Sequence, residues 1–298
     1  MTPLDKAGIG FLALTALVLT FTIMLQGTDM ALLNPKGLIA REQFRLIVFS
    51  VSVMLAIAVP VLSLLYFFAW KYRESNPKAT YDSTVRYGKL FGVFIWALPA
   101  TVIFILATNM LSATHKLVPQ QAIASSSEPL TIQVIAMRWK WLFIYPEQNI
   151  ATVNFVQIPV DTPIRFELTA DESPMTSFWI PHFGGQLYAM TGHVNALNLL
   201  ADNPGDYPGS SAEISGVGFA GMKFTARASS LESFEIWVKE SQQSDSVLDS
   251  SEYRKLLQPT ENNNPVYYSS ADDNIYNNVV MKYAGTHNHL PTIYGDRH

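Results

Sequence analysis

Leu46-Ile-Val-Phe-Ser-Val-Ser-Val-Met-Leu-Ala-Ile-Ala-Val-Pro-Val-Leu-Ser-Leu-Leu-Tyr-Phe-Phe-Ala-Trp70 is twenty-five residues without a charge, and a second run of that length, Leu90 to Thr114, follows after a short polar loop. A helix needs about 20 apolar residues to span the hydrocarbon of a bilayer, so each run can cross even when tilted. Tyr66, Trp70 and Trp96 add the amphipathic rings that favour the membrane–water boundary. Pro60 and Pro99 lie inside the runs, and membrane helices tolerate this where neighbouring groups satisfy the freed carbonyls. No other part of the chain could bury both runs in a soluble core. Residues 46–70 and 90–114 are therefore read as transmembrane helices.

Working outward, the loop between them, 71–89, carries Lys71, Arg73, Lys78, Arg86 and Lys89 against Glu74 and Asp82. A basic excess in a short loop places it in the cytoplasm, so everything after about residue 115 lies on the opposite side. Upstream, Ala7 to Gln26 is also uncharged, with Lys6 its single preceding cation and Asp5 beside it. Residues 1–28 read equally as a signal peptide or a signal-anchor helix, and 29–45 as a short outer linker.

The whole chain of 298 residues is 49% apolar and only 15% charged, against roughly a quarter charged in soluble domains. The front half, to Ala113, has a net charge of +4 and the rest −8. That distribution argues against a nucleic-acid partner. There is no cysteine, which excludes disulfides, thiolate metal sites and cysteine nucleophiles.

From Leu130 the pattern changes period. Leu130–Met137, Ala151–Ile158 and Ile164–Leu168 alternate apolar and polar residues, Asn195–Leu200 and Met222–Ala226 are shorter runs of the same kind, and turn clusters separate them. Short strands at this spacing predict an all-β sandwich or barrel, here over 129–240. One helix follows, with Ser229-x-x-Glu232 as a capping box and Leu231, Phe234, Trp237 and Val238 as its apolar face. Residues 241–285 are polar yet contain Tyr253, Tyr267, Tyr268, Tyr276 and Tyr283. A disordered tail would be poor in aromatics, so this extension is expected to pack on the sandwich or on a neighbouring subunit. Residues 286–298, with His287 and His289, read as a loose tail.

Catalytic motifs are missing: the sequence has no His-Glu-x-x-His, P-loop, Gly-x-Gly-x-x-Gly or Gly-x-Ser-x-Gly. The histidines are His115, His182, His193, His287, His289 and His298; His182 and His193 flank Met190, a conceivable but uncommon metal arrangement. Ser210 and Ser211 have Asp206 nearby but no evident base.

Four segments carry a resemblance: Leu32-Leu-Asn-Pro-Lys-Gly37, Met137-Arg-Trp-Lys-Trp-Leu-Phe-Ile-Tyr-Pro-Glu147, Ser177-Phe-Trp-Ile-Pro181 and Tyr207-Pro-Gly-Ser-Ser-Ala-Glu-Ile-Ser-Gly-Val-Gly-Phe-Ala-Gly-Met222. With the two spans, they resemble subunit II of the haem–copper respiratory oxidases from about residue 28 to 285. The resemblance implies a membrane α-helical hairpin joined to an all-β, Greek-key, cupredoxin-like outer domain. In copper-bearing members that domain holds a binuclear copper centre on the pattern Cys-x-x-x-Cys-x-x-x-His-x-x-Met, with an earlier His before Ser-Phe-x-x-Pro. Here the pattern falls on Ser211, Ser215, Phe219 and Met222, with Thr176 at the earlier His. Glu213, whose counterpart lends a backbone carbonyl, is retained, as is Met222. Bridging thiolates hold such a centre; serine oxygen is hard and stays protonated, and Phe219 has no donor.

The sequence thus looks like the copper-free quinol oxidase branch, subunit II of a cytochrome bo-type ubiquinol oxidase. This implies a non-redox structural subunit with no catalytic, cofactor or metal residues of its own. Its partners would be a haem-bearing subunit I that binds ubiquinol and holds the haems and one copper, a subunit III, a small subunit IV and membrane lipid. The expected location is the bacterial inner membrane, multi-pass, with the C-terminal domain periplasmic. Trp139 and Trp141, where copper-bearing relatives admit electrons, are read as interface and packing aromatics. Two departures stand out. No acid lies between Asp82 and Glu128, so Gly92 stands near where the family often places a proton-pathway Glu, and Asp82 is the available substitute. Thr28 stands near the lipid-bearing Cys of bo-type members. Two other readings are a stand-alone membrane-anchored cupredoxin-like binding protein and a redox protein binding metal through His182, His193 and methionines.

Overall fold

The structure, a computed structural model, describes residues 30–78, 88–125, 127–173 and 175–284. The expectations placed on residues 1–28, on Asp82 and Arg86, and on the tail with His287, His289 and His298 lie outside the described residues. The chain divides into two compact units. One is Glu42–Gln121, and the other joins the residues up to Arg41 with those from Ala122 onward.

The first unit holds most of α1 (Leu38–Lys71) and all of α2 (Lys89–Lys116). Both helices are long and apolar enough to cross a membrane, and none of their apolar windows is buried within the protein. Five of their hydroxyls are satisfied within the helices, as a hydrocarbon environment demands. Ser52, Ser63, Thr101, Thr108 and Thr114 each donate to the carbonyl four residues back, at 2.7–2.9 Å. Pro60 and Pro99 sit inside the helices without ending them.

Helix α1 begins at Leu38, within the stretch read as a linker, and its first turn belongs to the other unit. The reason is local. The four leading N–H groups of a helix have no partner of their own, and here the Leu38 N–H donates to the Leu200 carbonyl (3.1 Å) and the Ala40 N–H to that of Phe183 (3.0 Å). Gly37 permits the approach, since a Cβ there would lie 2.7 Å from the Leu200 oxygen. Arg41 pairs with Asp202 at 2.9 Å.

The second unit is a sandwich of two sheets. Its strands are β1 (Leu130–Met137), β2 (Lys140–Tyr145), β3 (Ile150–Val153), β4 (Phe155–Pro159), β5 (Ile164–Ala170), β6 (Thr176–Trp179), β7 (Gln186–Ala189), β8 (Asn195–Leu199), β9 (Gly205–Ser211), β10 (Lys223–Ser229) and β11 (Val266–Tyr268). One sheet runs β11-β3-β2-β1-β5-β8 and the other β4-β10-β9-β6-β7. Pairing is antiparallel except β1 with β5 and β4 with β10. Between the sheets lies a core that includes Trp141, Phe143, Phe166, Phe178, Met222 and Phe224. The alternation expected over 151–158 is one strand in sequence but two in space. Asn154 takes a left-handed conformation (φ 54°) and sends β3 and β4 to opposite sheets.

After β10 come α3 (Leu231–Ser241), α4 (Ser250–Leu256), β11 and α5 (Ile275–Ala284). The α3 cap is Ser230, whose side chain accepts from the Ser233 N–H, one residue later than the predicted box. Phe234 and Val238 are buried, but Leu231, the first helical residue, is exposed. The extension covers the outer face of the first sheet. There Leu248, Tyr253, Tyr268, Ile275, Tyr276 and Val279 pack on Ile135, Met137, Leu142 and Ile144. Strands β1 and β2 are therefore buried on both faces at these positions, which explains their nearly unbroken apolar runs.

Candidate functional site

Strands β6 and β9 run antiparallel with Phe178 opposite Ser211. Their side chains alternate, so Phe178 enters the aromatic core while Thr176, two residues earlier, shares its face. The Thr176 and Ser211 hydroxyls hydrogen-bond there. Ser211 has one proton, which it donates to the Glu213 carbonyl at 2.9 Å, so its oxygen accepts from Thr176 and, at 3.3 Å, from the Glu213 N–H. The loop is tied down further by Ala212 N–H to the Ser177 carbonyl (3.0 Å) and Ser211 N–H to the Met222 carbonyl (3.3 Å).

Beyond Ser215 the chain forms a tight 3-10 turn, Val217–Gly221. The Phe219 N–H donates to the Gly216 carbonyl and the Met222 N–H to that of Phe219. This turn draws Met222 into the core, where it is wholly buried, and leaves Phe219 half-exposed. Ser215 is buried and its hydroxyl has no partner, while its carbonyl accepts from the Trp139 indole at 3.3 Å. Trp139 stands at the tip of the β1–β2 hairpin with φ 65°. Its ring fills the place of a side chain at Gly218, where a Cβ would fall 2.3 Å from the indole. Ile214 and Val217 are strongly exposed on this loop.

Thr176, Ser211, Glu213 and Met222 thus meet in one hydrogen-bonded loop, with Ser215 and Phe219 on the adjoining turn. The two tryptophans part company. Trp139 lies at the surface of this loop, but Trp141 is fully buried, edge-on to Phe178 (5.3 Å) and Phe224 (5.9 Å). Trp141 is therefore a core residue with no interface of its own, because it falls on the inward face of β2 while Trp139 precedes the strand.

The donor set is hard oxygen and one buried thioether, which cannot supply the bridging thiolates of a binuclear copper centre. Among the described residues no group of three or more His, Asp or Glu is placed to hold a metal. His182 is buried and packs 5.3 Å from the Tyr207 ring. Asp206 is engaged by Arg227 at 2.6 and 2.7 Å. That guanidinium holds its carboxyl below the usual range, so Asp206 is no base for Ser210. Gly92 opens onto space within α2, with nothing within 4 Å of a Cβ.

Sequence reasoning missed a concentrated polar cluster among the described residues. Asp171 is buried at the end of β5 and accepts from the Tyr253 hydroxyl (2.7 Å), the Tyr283 hydroxyl (2.8 Å) and the Lys282 ammonium (2.8 Å). Burial opposes the Lys282 charge, but the bonds to Asp171, Tyr283 and Glu172 prevail and raise its pKa. Burial and the adjacent Asp171 push the Tyr253 phenol up. Tyrosines at irregular spacing gave no sign of converging on a single loop acid.

Residues 147–229 match the periplasmic domain of cytochrome c oxidase subunit II, and residues 242–287 match the aromatic-rich motif of such oxidases. The chain is 43% identical to cytochrome bo(3) ubiquinol oxidase subunit 2 of Pseudomonas putida over 91% of this chain and 86% of that one. It is 41% identical to ubiquinol oxidase subunit 2 of Acetobacter aceti, over 89% and 86%. A solved periplasmic domain of cytochrome oxidase subunit II from Bradyrhizobium japonicum aligns over 40% of this chain and 96% of that one, with 23% identity and a TM-score of 0.37. By its identity to these full-length relatives, the chain belongs to the ubiquinol oxidase subunit 2 family.

Proposed function

We propose that this chain is the non-redox structural subunit II of a terminal quinol oxidase that oxidises ubiquinol, reduces dioxygen to water and translocates protons. The observation that carries the reading is the closed hydroxyl loop. The Glu213 carbonyl and the Thr176 side chain are consumed by Ser211, at the positions where copper-bearing relatives place metal ligands. Thr176, Ser211, Ser215 and Phe219 are read as lost ligand positions, with Glu213 and Met222 retained. Family membership supports the same reading, since its relatives are named as quinol oxidase subunits.

The haems and one copper then belong to a partner subunit I, which also receives ubiquinol, with a subunit III and a small subunit IV completing the complex. Helices α1 and α2 anchor the chain in a bacterial inner membrane, loop 71–89 is cytoplasmic and the sandwich is periplasmic. Trp139, with the exposed Ile214 and Val217 beside it, supplies the contact aromatic on the outer lobe. Electrons have no need of this chain; it supports assembly and covers its partner.

The test is made on the purified complex. Copper should equal half the haem count, with no near-infrared absorbance of a binuclear centre. Two extra coppers per complex would overturn the non-redox reading. Deleting residues 129–285 should lower haem content and quinol oxidation together, and a complex unchanged in both would remove the structural role.

A further inference from the structure

A cleft of about 530 Å³ opens between one face of α3 and the end of the sandwich where β1 begins. Its size falls within the ~300–1,000 Å³ of small-molecule sites. Strand β1 runs from Leu130 at this cleft to Met137, two residues before Trp139. At ~3.3 Å per residue, ~23 Å of strand separates the cleft from the Ser211 loop. Leu231, Phe234, Glu235, Val238 and Lys239 recur at three- and four-residue spacing, so a single face of α3 forms one wall. Leu130, Phe234 and Val238, all buried, and the exposed Leu231 make much of the lining apolar.

The charged lining is one-sided. Glu128, Glu147 and Glu235 face the cleft against Lys239 alone, a net charge of −2. The ion pairs among the described residues all lie elsewhere in the chain. Gln148, also on the lining, adds an acceptor. Its carbonyl takes the Gln242 amide at 2.9 Å, while its side-chain Oε1 is shielded from solvent and has no donor among the described residues. An acceptor buried in this way is costly, and a ligand bearing N–H groups removes the cost. The carboxylates are spread rather than gathered: among the described residues no three acids or histidines are placed to hold a metal ion, which argues against a compact dication. Separated negative charges with hydrocarbon between them match separated ammonium groups joined by methylenes, since methylene stems lie along apolar surface while their charged heads stay at its edge.

We propose that this cleft binds an aliphatic polyamine, with its ammonium groups on Glu128, Glu147 and Glu235 and its methylenes on Leu231, Phe234 and Val238. The inference is independent of the quinol reading and adds a ligand site to the outer lobe. Equilibrium dialysis of radiolabelled spermidine against the purified, detergent-solubilised complex should find one saturable site per chain. Glu147→Gln with Glu235→Gln should weaken binding about tenfold, and Lys239→Gln should strengthen it about threefold. Leu231→Ser should weaken it about fivefold by removing apolar contact with the methylenes. All four positions are exposed, and unchanged haem content identifies variants that assemble normally. Two competitors are measured on the unaltered complex, so the inference remains refutable even where a variant fails to assemble. Propylamine, with one charge, should bind at least about tenfold more weakly, and magnesium should displace spermidine only at far higher concentration. Absence of saturable binding, as when a partner's basic side chain already fills the cleft, overturns the inference. So does displacement by magnesium at equal concentration, or binding indifferent to the glutamate and Leu231 changes.

Discussion

Ser211 and Ser215 stand on one loop, both buried, and their hydroxyls have opposite fates. Ser211 joins Thr176 to both polar groups of the Glu213 peptide, whereas the Ser215 hydroxyl has no partner. Removing a hydroxyl that satisfies others costs about 1–3 kcal/mol, and removing an unsatisfied one relieves a desolvation penalty. Ser211→Ala should therefore lower the unfolding temperature of the outer domain within the complex, and Ser215→Ala should leave it unchanged or raise it. Equal effects from the two would show that the loop is held by its backbone alone. Asn154 makes the second residue-scale case. Its side chain accepts from the Trp141 N–H (2.9 Å) and donates to the Asn263 carbonyl (3.1 Å), in a left-handed conformation. Asn154→Ala loses both bonds and adds backbone strain, an expected cost of about 2–3 kcal/mol in denaturant unfolding. The position shows where reading by pattern stops. Residues 151–158 alternate except at Phe155–Val156, and that slip of phase, with the tolerance of Asn for φ > 0, is the only local sign of the bend.

Among the elements, the aromatic-rich extension shows best what patterning conveys and what it leaves out. Tyrosines scattered through a polar segment say that it is not fully solvated. They do not say that Tyr253 on α4 and Tyr283 on α5 meet on Asp171, because that convergence depends on two helices folding over a sheet whose outer face is apolar. Lys140, buried in β2, adds a second tie by donating to the Leu256 and Gln258 carbonyls at 2.9 Å, where α4 ends. Burial lowers its pKa, and it finds carbonyls rather than a carboxylate. Asp171 has a side chain only 2% exposed, so its loss takes the acceptor from the buried Tyr253 phenol and weakens the ties to Tyr283 and Lys282, which keep Glu172. Leaving the buried Tyr253 phenol without its charged acceptor costs about 1–3 kcal/mol, and the half-exposed Lys282 pair adds little. Asp171→Asn should therefore release the extension first. Limited proteolysis should cut within 241–284 while the sandwich stays intact, and resistance equal to the unaltered chain would deny the hub its role.

At the scale of the molecule, the two units rest on different physics, and alkaline pH should separate them. The helices offer no buried core among the described residues, and their backbone bonds are internal, so a bilayer can hold them whatever the state of the sandwich. The sandwich and extension bury phenols instead. Burial raises Tyr145, Tyr253 and Tyr276 well above the ordinary tyrosine range. Tyr268, which also faces Glu252, is pushed up to about 12. A raised folded-state pKa means that the folded form binds the proton more tightly than the unfolded form. The stability so conferred is full below the unfolded tyrosine pKa of about 10 and is lost as pH climbs through the folded value. For Tyr268 the window lies between about pH 10 and about pH 12. Titrating the detergent-solubilised chain should thus show the tyrosinate absorbance of the buried set rising in one cooperative step, with loss of β-sheet circular dichroism. The helical signal of α1 and α2, the larger part of the total, should survive that step. A gradual titration without a step, or helix lost together with sheet, would mean that the buried phenols do not hold the outer unit together and that the two units stand or fall as one.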